Sequence, residues 1–412
     1  MRKIRSFLRS RTPVLLALLV LVGGLAIGFH WYHDLPTAWH IFRVPSLSPD
    51  FADTRTVTHH IDCLLKGRDP YVDGSCSPWH LPYNYPPIWL ELWHLGVNSS
   101  TTNLMGGLLA AMFFTASLSL FRARNWVTGT AVFLALLSWP VLFALERGNT
   151  DLAIFSILTL GGLWIGCSRE RFIATKQTLL IVVLTVLKIY PVVAVAGMVR
   201  NRKAIWKAFI AGTLALAALL ITAGSRLPLI WHNTPQGGYR SFGSVPLYMR
   251  IAECFGRVGV NHHYRVLFAI SFAAIGVTVG LVARRVIAKL LPSLDLNSAR
   301  GFIAAGGLAI YVSVFLVGSS FDYRLIFLLC PLMYFIEELN ERITIRSCVA
   351  VAILLLFLWC SRIDVFIGKL LLDAGIFVCS CAWLTDTLRR ALEPRSESPT
   401  TEDSHLVSMV GR

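Results

Sequence analysis

Apolar runs of about 17 to 20 residues recur through the whole chain, separated by short polar turns. A run of that length crosses the roughly 30 Å hydrocarbon layer as a helix. After a first apolar run from Pro13 to Phe29, the pattern predicts further spans at about 102–121, 126–145, 150–167, 173–187, 190–200, 203–222, 265–282, 300–317, 321–336, 345–361 and 363–386. The expected fold is an all-α polytopic membrane protein with about twelve transmembrane helices. One joint is irregular. The pattern breaks at Lys188-Ile189-Tyr190-Pro191, and a short, proline-broken piece at membrane depth is tolerated only where it lines a protein cavity.

One polar stretch in the N-terminal half is far too long for a connector. Within the loop of residues 30–100, positions 47–93 carry Asp50, Asp53, Asp62, Asp69 and Asp73, the pair His59 and His60, turn glycines at 67 and 74, and the stiff run Tyr83-Asn84-Tyr85-Pro86-Pro87. Long ordered loops on a rigid scaffold are where binding and chemistry concentrate. This loop is therefore expected to supply half of an active site, with the helices supplying the rest. The segment from Ile88 to Val97 is too short to span and is expected in the interface. A second long loop, about 223–264, is polar and glycine-containing at 236–243.

Composition supports the membrane reading: of 412 residues, 55% are hydrophobic and 15% charged, against roughly 25% charged in soluble domains. The net charge of +15 does not indicate nucleic acid, because the basic residues fall in short loops on one side of the expected membrane. Counting from the first span, Arg122/Arg124, Arg169/Arg171, Arg200/Arg202/Lys203, Arg284/Arg285/Lys289, Arg342/Arg346 and Arg389/Arg390 all fall on the cytoplasmic side. Met1 to Arg11 is basic, and no small-residue cleavage site follows the first span, so it reads as an uncleaved signal-anchor. The organisation expected is a cytoplasmic N-terminus (1–11), one transmembrane catalytic domain (12–386) and a disordered cytoplasmic tail (387–412), in a cell or inner membrane with both termini inside. The nine cysteines show no metal spacing. Cys63 and Cys76 share the long loop and can pair if that side is oxidising. Neither His59-His60 nor His262-His263 has acidic partners at ligand spacing, so no metal and no cofactor are expected.

The ionisable residues on the outer side cluster in the first loop and in the turns Glu146-Arg147-Gly148-Asn149-Thr150-Asp151, Lys188-Ile189-Tyr190-Pro191, Ser320-Phe321-Asp322-Tyr323-Arg324 and Arg362-Ile363-Asp364. Water accounts for many of these charges. It accounts less well for Lys188 and Arg324, which sit at the ends of apolar runs, where a charge is costly and marks a site. Each acid beside a base (Glu146/Arg147, Asp322/Arg324, Arg362/Asp364) reads equally well as a local ion pair holding a turn. Scattered cations at the bilayer surface under a carboxylate-bearing loop suit a lipid phosphate, which Arg and Lys grip by charge-assisted hydrogen bonds. A sugar bound through phosphate already has a good leaving group. Its transfer needs chiefly one general base, whereas ordinary glycoside hydrolysis needs two carboxyls.

The motif order then resembles a known family. Asp53-Thr54-Arg55, Gly67-Arg68-Asp69-Pro70-Tyr71, Tyr83-Asn84-Tyr85-Pro86-Pro87, Glu146-Arg147-Gly148-Asn149, Lys188-Ile189-Tyr190-Pro191 and Phe321-Asp322-Tyr323-Arg324 resemble glycosyltransferase family 87, the polyprenol-phosphate-mannose-dependent mannosyltransferases of the C-type membrane superfamily, over about residues 12 to 386. The resemblance implies a C-type helical bundle, a polyprenyl-phosphate sugar donor, a glycan or glycolipid acceptor on the extracytoplasmic face, and a catalytic aspartate soon after the first helix. Asp53 looks most like that aspartate, with Asp50 the other candidate. Lys188, Arg324 and Arg147 are expected on the donor phosphate. Asp50, Tyr83, Asn84, Tyr85, Tyr190, Asp322 and Tyr323 are expected around the substrates. The chain departs from the family at Arg147-Gly148-Asn149 (commonly Gly-Gln-x-Asn) and at Lys188-Ile189-Tyr190-Pro191 (commonly Lys-Pro-Tyr-Pro). Asp69 before Pro70 reads as a turn former, and Asp62 and Asp73 as surface charges. The rival readings are a ligase moving a whole lipid-linked glycan and a secondary transporter.

Overall fold

A computed structural model of the chain describes residues 2–235, 241–254, 262–318, 320–360 and 366–393. The fold is the all-α polytopic one expected. Among the described residues, five helices are long and apolar enough to cross a membrane: Ser10–Tyr32, Ser99–Leu120, Arg202–Asn233, Ala299–Val317 and Leu371–Leu392. The pair Trp126–Leu136 and Trp139–Arg147, bent by 41°, makes a sixth if taken as one span. Shorter apolar helices run over Asp151–Gly166, Val266–Val282 and Ile345–Cys360. The one strand pairing among the described residues is a two-residue bridge, Ser241–Phe242 antiparallel to Ser320–Phe321.

Several expected spans differ in kind. The stretch expected at 190–200 is a 3-10 helix, Tyr190–Met198. Nine residues at about 2 Å each reach only partway through a bilayer. The stretch expected at 321–336 opens as a second 3-10 helix, Asp322–Leu328, and becomes α-helical at Leu329–Glu341. The span expected at 126–145 breaks where Pro140, lacking an N–H, takes a place in the first turn of Trp139–Arg147. The last helix, Phe366–Leu392, continues past the expected boundary at 386. The expected features at 236–240, 361–365 and 394–412, Arg362 and Asp364 among them, lie outside the described residues.

Helix Ala299–Val317 is the packing hub, with 72% of its apolar window buried inside the protein. Small residues let neighbours approach it closely. A Cβ on Gly307 would stand 2.5 Å from the Cβ of Cys330, so only glycine permits this helix crossing.

The first long loop is a folded layer. It contains helix Ala52–Leu65 and the 3-10 helix Pro87–Leu95, the latter where the interfacial segment was expected. Cys63 and Cys76 form a disulfide with Cα atoms 5.7 Å apart. The Tyr71 hydroxyl donates to the Tyr85 carbonyl (2.9 Å), and the Trp89 indole N–H donates to the Leu187 carbonyl (2.8 Å), which ties the loop to the residue preceding Lys188. The second long loop braces the first. Asn233 Nδ2 donates to the carbonyls of Tyr71 (2.9 Å) and Tyr83 (3.0 Å), and Arg226 pairs with Asp69 at 2.8 Å. Closing a ring across 13 residues restricts the unfolded chain, so replacing Cys63 by Ser is expected to lower stability by about 3 kcal/mol. Thermal denaturation of the variant beside the untreated protein measures this, and an unchanged melting temperature would contradict it.

Candidate active site

The site begins at a junction of two helix ends. Helix Trp139–Arg147 stops at Gly148, whose φ of +55° is the left-handed conformation that favours glycine. The Gly148 carbonyl accepts the Thr54 hydroxyl at 2.6 Å, which docks the first turn of the loop helix onto this helix end. A side chain at 148 would also run into Thr54 Oγ1 and the Phe51 ring. Gly148→Ala is therefore expected to lower stability by at least about 1–2 kcal/mol, because strain and steric clash act together. A melting curve tests it, and a wild-type melting temperature would refute this account of the junction.

That docking sets Asp53 beside Asn149. Asn149 is fully buried, and its side chain works in both directions. Nδ2 donates to Asp53 Oδ2, while Oδ1 accepts the Asp151 backbone N–H at 2.8 Å. Asp151 opens helix Asp151–Gly166 with its carboxylate wholly buried. Lys188 Nζ lies 2.6 Å from Asp151 Oδ1 and 3.1 Å from the Thr150 hydroxyl. The Tyr190 hydroxyl donates to the same Asp151 oxygen. Arg324 Nε stands 3.5 Å from Asp151 Oδ2, and its Nη1 donates to Ser320 at 2.9 Å. One buried carboxylate thus faces two cations. Removing one partner of such a set leaves an uncompensated buried charge.

Aromatic faces complete the enclosure. Lys188 lies over the rings of Tyr85 (5.4 Å) and Tyr190 (5.6 Å), and Arg324 over Tyr190 (5.3 Å) and Tyr323 (5.9 Å). Arg147 sits over the Phe143 ring at 5.0 Å and 3.0 Å from Glu146 Oε2. Glu146, itself buried, accepts the Leu47 backbone N–H at 3.0 Å and so straps down the segment leading to Asp50.

Asp53 is half-buried, and burial is the main force raising its pKa above the ordinary carboxylate value. The charge of Arg147, the hydrogen bond from Asn149 and the charge of Lys188 pull it back. In its ionised form a carboxylate so placed can accept a proton from a neighbouring hydroxyl.

The structure brings together Asp53, Arg147, Lys188, Arg324, Tyr85, Tyr190 and Tyr323. Tyr83 stands behind them, fully buried against His60 (5.1 Å), Tyr71 (5.2 Å) and Tyr85 (5.9 Å), so it supports the wall and does not line the site. Asp50 lies on the approach to the loop helix: its backbone carbonyl accepts Arg55 Nε at 3.0 Å, and Oδ1 is buried with no partner among the described residues. Asn84 Oδ1 is likewise buried and unpaired among them. Asp322 is buried beside Tyr323 in sequence. Glu146/Arg147 is the local ion pair that the sequence allowed, whereas Arg324 meets Asp151 from another helix. Asp69 caps its own turn through the Tyr71 N–H (3.0 Å), and Asp73 does the same through Ser75 (2.9 Å). Asp62 reaches the Ser99 N–H at 3.4 Å. Among the described residues no three His, Cys, Asp or Glu side chains gather as metal ligands.

Asn149 and Asp151, which connect Asp53 to the cations, stood in the outer turn and the motif read from the sequence but were given no role there. Asp151 looks like an acid in a helix's first turn, which is ordinary. The usable signal was its position at the head of an apolar run, the same sign that marked Lys188.

No family model matches the chain, and no curated protein matches it. Among solved structures, the chain is similar to the crystal structure of ArnT from Cupriavidus metallidurans in the apo state, at 12% identity over 92% of this chain and 77% of that chain, with a TM-score of 0.37. At that level of similarity the functional reading rests on the geometry of the site.

Proposed function

We propose that the protein is a membrane glycosyltransferase that moves a hexose, mannose by the motif resemblance, from a polyprenyl-phosphate donor to a glycan or glycolipid acceptor outside the cytoplasm. The observation that supports it is the connection Asp53–Asn149–Asp151–Lys188/Arg324, which couples one carboxylate in a folded outer loop to a cation pair at the helix ends. Asp53 takes the proton from the acceptor hydroxyl as that oxygen attacks the anomeric carbon. The bond from that carbon to the phosphate oxygen breaks, and polyprenyl phosphate leaves carrying the electron pair. Lys188, Arg324 and Arg147 stabilise the charge that grows on the leaving phosphate, in a site where aromatic rings keep water out. In this reading Tyr85, Tyr190 and Tyr323 handle the sugar, with Asp50, Asn84 and Asp322 as further substrate-binding residues. A single displacement inverts the anomeric centre.

The base must be ionised to act, and burial raises its pKa. Acceptor-dependent release of polyprenyl phosphate, followed against pH, is therefore expected to fall on an acid limb displaced above the ordinary carboxylate range. A limb at the ordinary value would remove Asp53 from the role. Release independent of any acceptor would overturn transfer itself.

A further inference from the structure

A second polar feature lies at the far end of the bundle from Asp53. Helix Asp151–Gly166 leads away from the site for about 24 Å. At its far end a Cβ on Gly166 would meet the Cβ of Ala299, the first residue of the hub helix. There, a cavity of about 690 Å³ opens between the start of helix Arg202–Ala223, the turn before Ala299 and the end of helix Phe366–Leu392.

Four cations line it, Arg200, Arg202, Lys203 and Arg390, with two carboxylates, Asp295 and Glu393. The carboxylates are already engaged. Asp295 Oδ1 accepts the backbone N–H of Asn297 (3.0 Å) and its side-chain amide (3.2 Å), while Glu393 pairs with Arg389. Two of the cations are engaged as well. Arg202 Nε donates to the Leu392 carbonyl at the helix end (3.0 Å), and Arg390 pairs with Asp386 at 2.7 Å. Arg200 makes one long hydrogen bond to Gln177 (3.3 Å), and Lys203 is exposed with no partner among the described residues. A guanidinium with donors to spare and a free ammonium therefore line a roomy cavity in which cations outnumber carboxylates four to two.

We propose that this cavity binds a phosphate-bearing anion held by Arg200 and Lys203, at the level where membrane helices leave the bilayer. Two of its walls are ends of candidate spans, Arg202–Asn233 and Leu371–Leu392, which places the cations at headgroup depth. Basic pockets between helix ends at that depth suit anionic lipid headgroups, and a planar guanidinium beside a point-charge ammonium suits phosphate oxygens. The chemistry at Asp53 plays no part in this inference.

The test uses the full chain in phosphatidylcholine nanodiscs and reads the melting temperature by intrinsic tryptophan fluorescence. Three proteins are compared: wild type, the pocket variant Arg200→Gln/Lys203→Gln, and the charge-matched control Arg169→Gln/Arg171→Gln. Unaltered melting temperatures in phosphatidylcholine alone show that all three fold. Adding phosphatidylglycerol to the discs is expected to raise the melting temperature of wild type and control by a few degrees and to leave the pocket variant unmoved. The same pattern with inorganic phosphate in place of phosphatidylglycerol assigns the cavity to a soluble phosphate compound and also upholds it as an anion site. No shift with either probe overturns the proposal. So does a shift that persists in the pocket variant, or one that the control loses equally.

Discussion

Asp53→Asn is expected to reduce transfer by about 10²- to 10⁴-fold, the share that a positioned general base supplies, while the fold stays intact. The second half of that statement follows from the direction of the carboxyl's perturbation. Its pKa is raised in the folded protein above the ordinary 3.8, chiefly by burial. Such a group supports the fold at low pH, below its unfolded value, and that support is lost as pH rises through the folded value. At neutral pH the raised pKa therefore counts against the fold, and an uncharged amide of the same shape carries no such cost. The amide oxygen still accepts the Asn149 hydrogen bond. The melting temperature of the variant should equal or exceed that of wild type even as turnover falls. A variant that is both unfolded and inactive would make Asp53 structural.

Asp151→Asn is expected to act in the opposite way, through stability. Lys188 and Arg324 both face this carboxylate, Lys188 at 2.6 Å and Arg324 at 3.5 Å. The Asp151 side chain is wholly buried and the other two nearly so. Taking the charge away leaves two cations repelling each other at low dielectric, and breaking a buried pair in this manner costs about 3–5 kcal/mol. Expression and melting temperature should fall together. In whatever folded protein remains, donor KM should rise more than kcat falls, because the damage is to the phosphate-facing cations and not to the base. A variant as stable as wild type would show that Lys188 and Arg324 are compensated elsewhere.

The candidate cations and the long loop were legible in the sequence for one physical reason: an ionisable side chain at membrane depth, or a long polar loop in an apolar chain, is too costly to be incidental. Lys188 and Arg324 stood out that way, whereas Asp53 was singled out among the loop aspartates by the motif resemblance. The role of Asn149 and Asp151 in joining them did not show, because both have the look of an ordinary helix start, and the left-handed Gly148 that docks Thr54 shows itself only in the backbone angle. The count of spans suffered from a related ambiguity. Hydropathy registers apolar side chains without saying what they face. Trp139 to Glu146 are apolar up to the final acid, yet all are buried inside the protein, and much of Asp322–Leu328 is the same. Segments that line a protein interior can be as hydrophobic as lipid-facing helices and far shorter, so 190–200 and 321–336 read as spans while folding partly as 3-10 turns. The long loop folds as a layer against the helix ends, and the disulfide between Cys63 and Cys76 is a pairing that their shared loop allowed.

Direct displacement by an acceptor that Asp53 deprotonates is tested most directly by the product itself. Membranes containing the protein are incubated with radiolabelled polyprenyl-phosphate mannose, and the labelled glycan or glycolipid is isolated and the configuration of its new linkage determined. The account predicts a labelled product whose anomeric configuration is opposite to the donor's, formed by wild type and reduced to background with Asp53→Asn. A product that retains the donor's configuration, or equal labelling by the two proteins, would contradict it.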